Sequence, residues 1–232
     1  MLRFYLFFVL TLFSFFSVAN EFKGFNKTGH CDSLPVSLFH DRIVRIKVKP
    51  PYEGATARII GSGFLLSGGV VSVREILTQQ RNSKGYPEFK VETSDFTVDV
   101  TFAESLTRDF SMFYHDVNLA DLKYPIVTLP VEGETVVVLG FRKERNEVWQ
   151  TRGRVTEVVS GRMRFESEGG SELFGSAVYN CYGHLVGMVY DGEYLGRNNF
   201  PVQVEAFTFE TLRRVWPFVT RPQSDPDYIG IQ

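Results

Sequence analysis

The sequence has few of the side chains that build metal centres and disulfide frameworks. Among 232 residues there are two cysteines, Cys31 and Cys181, and four histidines, His30, His40, His115 and His184. None of these falls at the close, paired spacing of a metal-ligand set, so the sequence implies no metal and no cofactor. A surplus of charge is missing as well: 25 Lys and Arg face 27 Asp and Glu, a formal net charge of −2. The basic residues are spread without a run, which argues against a nucleic-acid binder that depends on a positive field. Internal repeats and low-complexity tracts are absent, as is any long apolar run beyond the first nineteen residues. What is present is apolar material, 44% of the chain with 15% aromatic, enough for one large β domain or two small ones.

Residues 1–19 have a character of their own. Arg3 precedes an almost wholly apolar stretch from Phe4 to Phe16, and Ser17-Val18-Ala19 fits a small-x-small cleavage site. That is the order of a secretory signal peptide, and the apolar stretch is shorter than the ~20 residues of a spanning helix. The expected product is secreted or periplasmic, with no stable membrane span after cleavage; an uncleaved anchor is the alternative. Export permits a bridge between Cys31 and Cys181, which would contribute roughly 4–5 kcal/mol by chain entropy. Two unpaired thiols are the other reading. Asn26-Lys27-Thr28 is an N-x-T sequon, making Asn26 a glycosylation candidate in a host that modifies exported proteins.

The rest of the chain reads as short strands between turn residues. Residues 42–48 (R-I-V-R-I-K-V) alternate apolar and basic side chains, and Pro50-Pro51 ends the run. Further strands are expected over 57–66, 89–92, 96–102, 134–141, 147–158, 162–166 and 199–205, with a short helix from Phe207. Gly61-Ser62-Gly63 interrupts the second strand, but no helix with a lysine follows, so a phosphate loop is a weak reading. Residues 170–188, G-S-E-L-F-G-S-A-V-Y-N-C-Y-G-H-L-V-G-M, form a loop that opens into a β-hairpin.

That last stretch resembles the trypsin-like serine peptidases of the chymotrypsin fold (the PA clan), closest in motif to the Deg-type branch. The branch carries G-x-S-G-G-P-L-V-N, a glycine turn and V-I-G at this point. Laid on it without a gap, Gly175-Ser176-Ala177-Val178-Tyr179-Asn180 takes the place of G-G-P-L-V-N. The nucleophile position then falls on Phe174, and the glycine two residues earlier on Glu172. Upstream, Gly61-Ser62-Gly63-Phe64 resembles the strand before the catalytic histidine, and Val70-Val71-Ser72-Val73-Arg74-Glu75 resembles V-L-T-A-A-H, which puts Glu75 at the histidine position. Asp109-Phe110-Ser111-Met112-Phe113 is similar to D-x-A-L-L, with Asp109 at the triad aspartate. Arg58-Ile59-Ile60-Gly61 looks like a zymogen activation sequence but lies too close to the histidine position to serve as one.

The resemblance covers roughly residues 43–215 and implies an all-β fold, a chymotrypsin-like double β-barrel with a short C-terminal helix. It divides the chain into a signal peptide (1–19), an N-terminal extension (20–41), a first β-barrel (42–118), a crossover (119–124), a second β-barrel (125–206), a helix (207–219) and a tail (220–232).

The chemistry does not come with the frame. Nucleophilic catalysis of this kind needs a hydroxyl, a base and an acid that orients the base. Asp109 alone retains its type. Glu75 lacks an imidazole's shape and pKa, and Phe174 has no proton to lose. Glu172 brings a Cβ and a negative charge where an oxyanion hole needs a glycine. Ser171, Ser176 and Cys181 are conceivable stand-ins for the nucleophile, and His115 with Asp109 for the base pair. The expected function is a secreted pseudopeptidase that binds a peptide or protein, because the cleft's strand-addition binding can outlast the chemistry. An active serine endopeptidase with an unorthodox site, and a structural or assembly protein of an envelope or surface, are the alternatives. A Phe174 ring packed into the former nucleophile position is a further expectation.

Overall fold

The computed structural model describes residue 39 and residues 42–66, 68–78, 87–93, 96–117, 126–141, 147–167, 174–192 and 202–210. The first sheet is built from β1 (Ile43–Lys49), β2 (Arg58–Leu66), β3 (Gly69–Val73), β4 (Glu88–Glu92), β5 (Thr97–Asp99), β6 (Phe102–Ser105) and β7 (Phe110–Tyr114). Their order is β5-β4-β1-β2-β3-β7-β6, antiparallel throughout. The two edge strands are consecutive in the chain. Val100 donates its amide to the Phe89 carbonyl at 3.0 Å, and Thr101 donates to Tyr114 at 2.9 Å. One extended segment therefore leaves one edge of the sheet and reaches the other, curling the sheet on itself. The single strand expected over 96–102 is in fact two, because its halves pair with different neighbours.

The second sheet is a closed barrel in the order β10-β13-β12-β11-β8-β9. Its strands are β8 (Thr135–Phe141), β9 (Val148–Val159), β10 (Arg162–Ser167), β11 (Ala177–Asn180), β12 (Leu185–Gly192) and β13 (Val202–Thr208). β10 alternates strictly between exposed and buried residues, as a strand with one wet face should. β8 and β11 do not. Val136 and Val138 of β8 and Val178 of β11 fill the second barrel, with Val155, Phe165 and Val204. Val137, Leu139 and Phe141, with Ala177 and Tyr179, point the other way into a larger cluster shared with Ile46, Phe64, Val71 and Phe110 of the first sheet. The strands where the barrels meet are apolar on both faces because both faces are covered.

One boundary differs from expectation. Phe207 and Thr208 belong to β13, where Phe207 pairs with Arg162 and Met188, so no helix begins at Phe207. Ladder hydrogen bonds to two strands outweigh the local helical spacing of a few apolar residues. The crossover, the signal-peptide segment, the Asn26 sequon, Cys31 and residues 211–232 lie outside the described residues.

Candidate functional site

The hairpin loop meets the first sheet on β2. The Ser62 amide donates to the Phe174 carbonyl at 2.9 Å. Gly175 follows with φ +78°, a left-handed conformation that side chains with a Cβ resist. A Cβ there would collide with the Ser62 carbonyl oxygen and stand 2.7 Å from Ser72 Oγ. The Gly175 amide donates to Val189 at 2.8 Å, and Val189 donates back to Ser176 at 2.9 Å, so the loop is clamped onto β12 before β11 begins.

The other two segments singled out from the sequence connect to it through the helix that follows β3. β3 ends in a short helix, α1 (Arg74–Thr78), with Glu75 in its first turn. Buried Ile76 and Leu77 pin this helix to the core. Gly61 is the place where α1 and the hairpin loop come together: a Cβ on it would lie 2.5 Å from Ile76 Cδ1 and 3.0 Å from the Phe174 carbonyl oxygen. Asp109 reaches α1 through the backbone, because the Arg74 amide donates to its carbonyl at 2.9 Å. Thr107 Oγ1 accepts from the amides of Asp109 at 3.2 Å and Phe110 at 3.1 Å, which sets the turn ahead of β7. Arg74 Nη1 donates to the Arg108 carbonyl at 3.4 Å. Glu75 and Phe174 thus sit on segments that meet at Gly61, and Asp109 sits on a third segment joined to α1 at Arg74. The Phe174 ring is half-buried and packs against the large shared core. Glu172 and Ser171 lie outside the described residues.

No protein-family profile and no curated protein sequence matches this chain. Among solved structures, the crystal structure of the Rv3671c protease from M. tuberculosis, in its active form, aligns with a TM-score of 0.61. The match covers 81% of this chain and 85% of that one, at 15% sequence identity. The fold is the chymotrypsin-like double β-barrel.

Within this double barrel the possible replacements for the nucleophile and base fare poorly. Ser176 is fully buried and its Oγ packs against the backbone of Gly140. No cysteine among the described residues is free, which removes Cys181 as a thiolate. His115 follows β7 while Asp109 precedes it, and six steps of extended chain separate them by about 20 Å. They form no dyad. His184 lies at the hairpin turn with its ring 6.0 Å from that of Tyr182; His30 and His40 lie outside the described residues. Among the described residues there is no cluster of His, Cys, Asp and Glu suited to a metal ion.

Two features of the chymotrypsin-like fold here are invisible in the sequence. Ser62, Ser72, Ser111 and Ser176 are all buried where the hairpin loop meets the first sheet. Ser72 Oγ donates to the Ser62 carbonyl at 2.7 Å, and the Phe141 amide of the second barrel donates to Ser62 Oγ at 3.0 Å. The seam between the barrels is therefore partly polar. Small hydroxyls inside apolar strands are the only signal of it.

His115 is the second feature. It is 3% exposed, and neither ring nitrogen has a hydrogen-bond partner of good geometry. Burial holds its pKa below the ordinary value of 6.5, with the Val117 backbone and the Asp116 charge opposing only in part. The folded state therefore binds this proton less readily than the unfolded chain does. Stability is expected to be insensitive to this group above pH ~6.5 and to fall below that, by at most about 1.4 kcal/mol per pH unit. Urea unfolding across pH 7.5 to 5 reads the slope. His115→Leu should flatten it, and an unchanged slope in that variant would assign the acid sensitivity elsewhere.

Proposed function

We propose that the chain is an exported pseudopeptidase related to the trypsin-like family, which recognises an extended peptide or protein segment without cleaving it. The observation that carries this reading is Phe174. It occupies the position that the motif assigns to the nucleophile, on a loop held against β2, with its ring packed on the shared core. A phenyl ring there offers no proton to a base and no electron pair to a carbonyl. The sealed Ser176 speaks for the same reading. The loop, α1 and the Asp109 turn stay joined through Gly61 and Arg74, and binding by strand addition needs none of the lost groups. The Deg-type likeness, the export signal and the loss of catalysis all belong to this proposal.

The test is labelling with a fluorophosphonate, which modifies activated serines. The purified mature protein is expected to stay unlabelled under conditions that label trypsin stoichiometrically. Stoichiometric labelling that disappears on replacing one serine would establish an active, unorthodox site instead. Displayed-peptide selection on the same preparation is expected to enrich extended sequences, and a selection that recovers none would favour the structural role.

A further inference from the structure

Arg162 is a cation held in place without a carboxylate of its own. It opens β10 on that strand's exposed face. Its guanidinium carbon lies 5.5 Å from the Tyr190 ring centroid and 5.6 Å from that of Phe207, within cation–π range of both. The two rings stack on each other with centroids 4.0 Å apart. Among the described residues Arg162 makes no hydrogen bond or ion pair. Glu205 on the neighbouring strand is already engaged at both oxygens: Oε1 accepts from Arg164 Nε at 2.7 Å, and Oε2 accepts from the Tyr190 hydroxyl. Arg164 in turn pairs with Glu157 at 2.9 Å. The nearby charges thus satisfy one another, and the guanidinium donors of Arg162 are left over.

The backbone places the two rings that hold Arg162. The register of β12 against β13 shifts between Val189 and Asp191, so Tyr190 is the extra residue of a β-bulge. A bulge re-aims the side chain it carries, and here that ring lies flat on Phe207. Burial, with the bond to Glu205, pushes the Tyr190 pKa up to about 12, so the hydroxyl keeps its proton and the ring its anchor. Phe207 is buried in the shared core and meets Phe110, the residue after Asp109, with ring centroids 5.9 Å apart. On the other side of the bulge, Val189 holds the Phe174 loop through its bonds with Gly175 and Ser176. Past Val189, β12 has a described neighbour on the β13 side alone, because β11 pairs no farther than Met188. Arg162 therefore stands at the solvent edge of the shared core. Phe207 links it to the start of β7, and Tyr190 links it to the strand that clamps the Phe174 loop.

We propose that Arg162 is a specificity-determining residue that takes a carboxylate of the bound peptide, either an Asp or Glu side chain or the C-terminal carboxylate. A guanidinium presents its donors as a planar fork that matches two carboxylate oxygens, and charge on both partners strengthens the bonds. Stacking on Tyr190 and Phe207 fixes that fork in advance, which lowers the entropy lost on binding. Carboxylates are the only anions an unmodified peptide carries at neutral pH, so the ligand class follows from the peptide. The inference rests on the peptide-binding reading above and adds the chemistry that the partner must bring.

The experiment uses the full mature protein, immobilised, to capture peptides from an equimolar library of acetylated peptides made in amidated and free-acid forms. The parent is expected to enrich Asp and Glu severalfold over Asn and Gln at one position, which assigns the carboxylate to a side chain. Enrichment of free-acid over amidated forms would assign it to the chain end, and either result supports the proposal. Arg162→Gln should still capture peptides but lose the preference, while Arg162→Lys, which keeps the charge without the fork, should retain part of it. Arg154→Gln removes an exposed charge from β9 of the same barrel and should leave the preference intact. Circular dichroism melts of all three variants verify the fold. Captured peptides with no acidic or terminal preference, or a preference that survives in Arg162→Gln, would overturn this proposal and leave the peptide-binding reading standing. Failure of the parent to capture any peptide would overturn that reading and this proposal with it.

Discussion

Gly175→Ala is expected to destabilise the protein by about 2–5 kcal/mol, from about 1–2 for a left-handed alanine and about 1–3 for the collision. The native φ is +78°, and the new methyl would meet the Ser62 carbonyl and Ser72 Oγ, which are held by a hydrogen bond to each other. Neither contact is the far end of a flexible side chain, so relief requires the loop to leave β2. That would break the bond from the Ser62 amide to the Phe174 carbonyl. Gly54 supplies the control, because it has the same φ of +78° with nothing within 4 Å of an added Cβ. Urea unfolding of the two alanine variants separates conformational strain from packing. Gly54→Ala should show only the first, about 1–2 kcal/mol. Equal losses in both would mean that the loop does not press on β2 as described.

Arg45→Ala is expected to cost about 2–3 kcal/mol, for a different reason. Arg45 lies on β1 with a side chain only 6% exposed, and its guanidinium pairs with Glu92 at 2.9 Å. The same group sits 5.1 Å from the ring centroid of Phe141 on β8, so it ties the first sheet to the second barrel. Removing one member of a buried pair commonly costs about 3–5 kcal/mol, because the other charge is left uncompensated. Here Lys47 also pairs with Glu92 and remains, which lowers the expectation. Arg45→Met keeps the stem against Phe141 and should recover part of the loss. A chemical denaturation series on both variants decides it. A loss under about 0.5 kcal/mol for alanine, the range of ordinary surface substitutions, would remove the cross-barrel role.

Strand content was legible wherever one face of a strand is wet. β10 shows this best, since its exposed and buried residues alternate and the local pattern carries the information. Where the two barrels meet, the pattern fails to inform. Val136 and Val137 are adjacent and equally apolar, yet one lies in the second barrel and the other in the shared core. The 96–102 segment was readable as extended, but its break at Val100 and Thr101 depends on hydrogen bonds to β4 and β7. Phe207 was misread as helical because its ladder partners, Arg162 and Met188, are remote in sequence. The burial of His115 is hidden for a similar reason: a histidine after a strand looks like a loop residue until something covers it.

Some properties of this protein follow from the order of its residues alone. The side-chain types at the motif positions are among them: Phe174, Glu75 and Asp109 carry their chemistry wherever they are placed, and a phenylalanine cannot act as a nucleophile. So is the all-β character, which comes from short apolar runs punctuated by turn residues. Proximity was decided only by the tertiary structure. Gly61 brings α1 and the Phe174 loop together because it has no side chain to hold them apart. Ser176 is closed off because Gly140 lets its hydroxyl pack against backbone, and the His115 pKa is held down by burial. Each of these depends on contacts between residues distant in sequence, and such contacts form only when the barrels close.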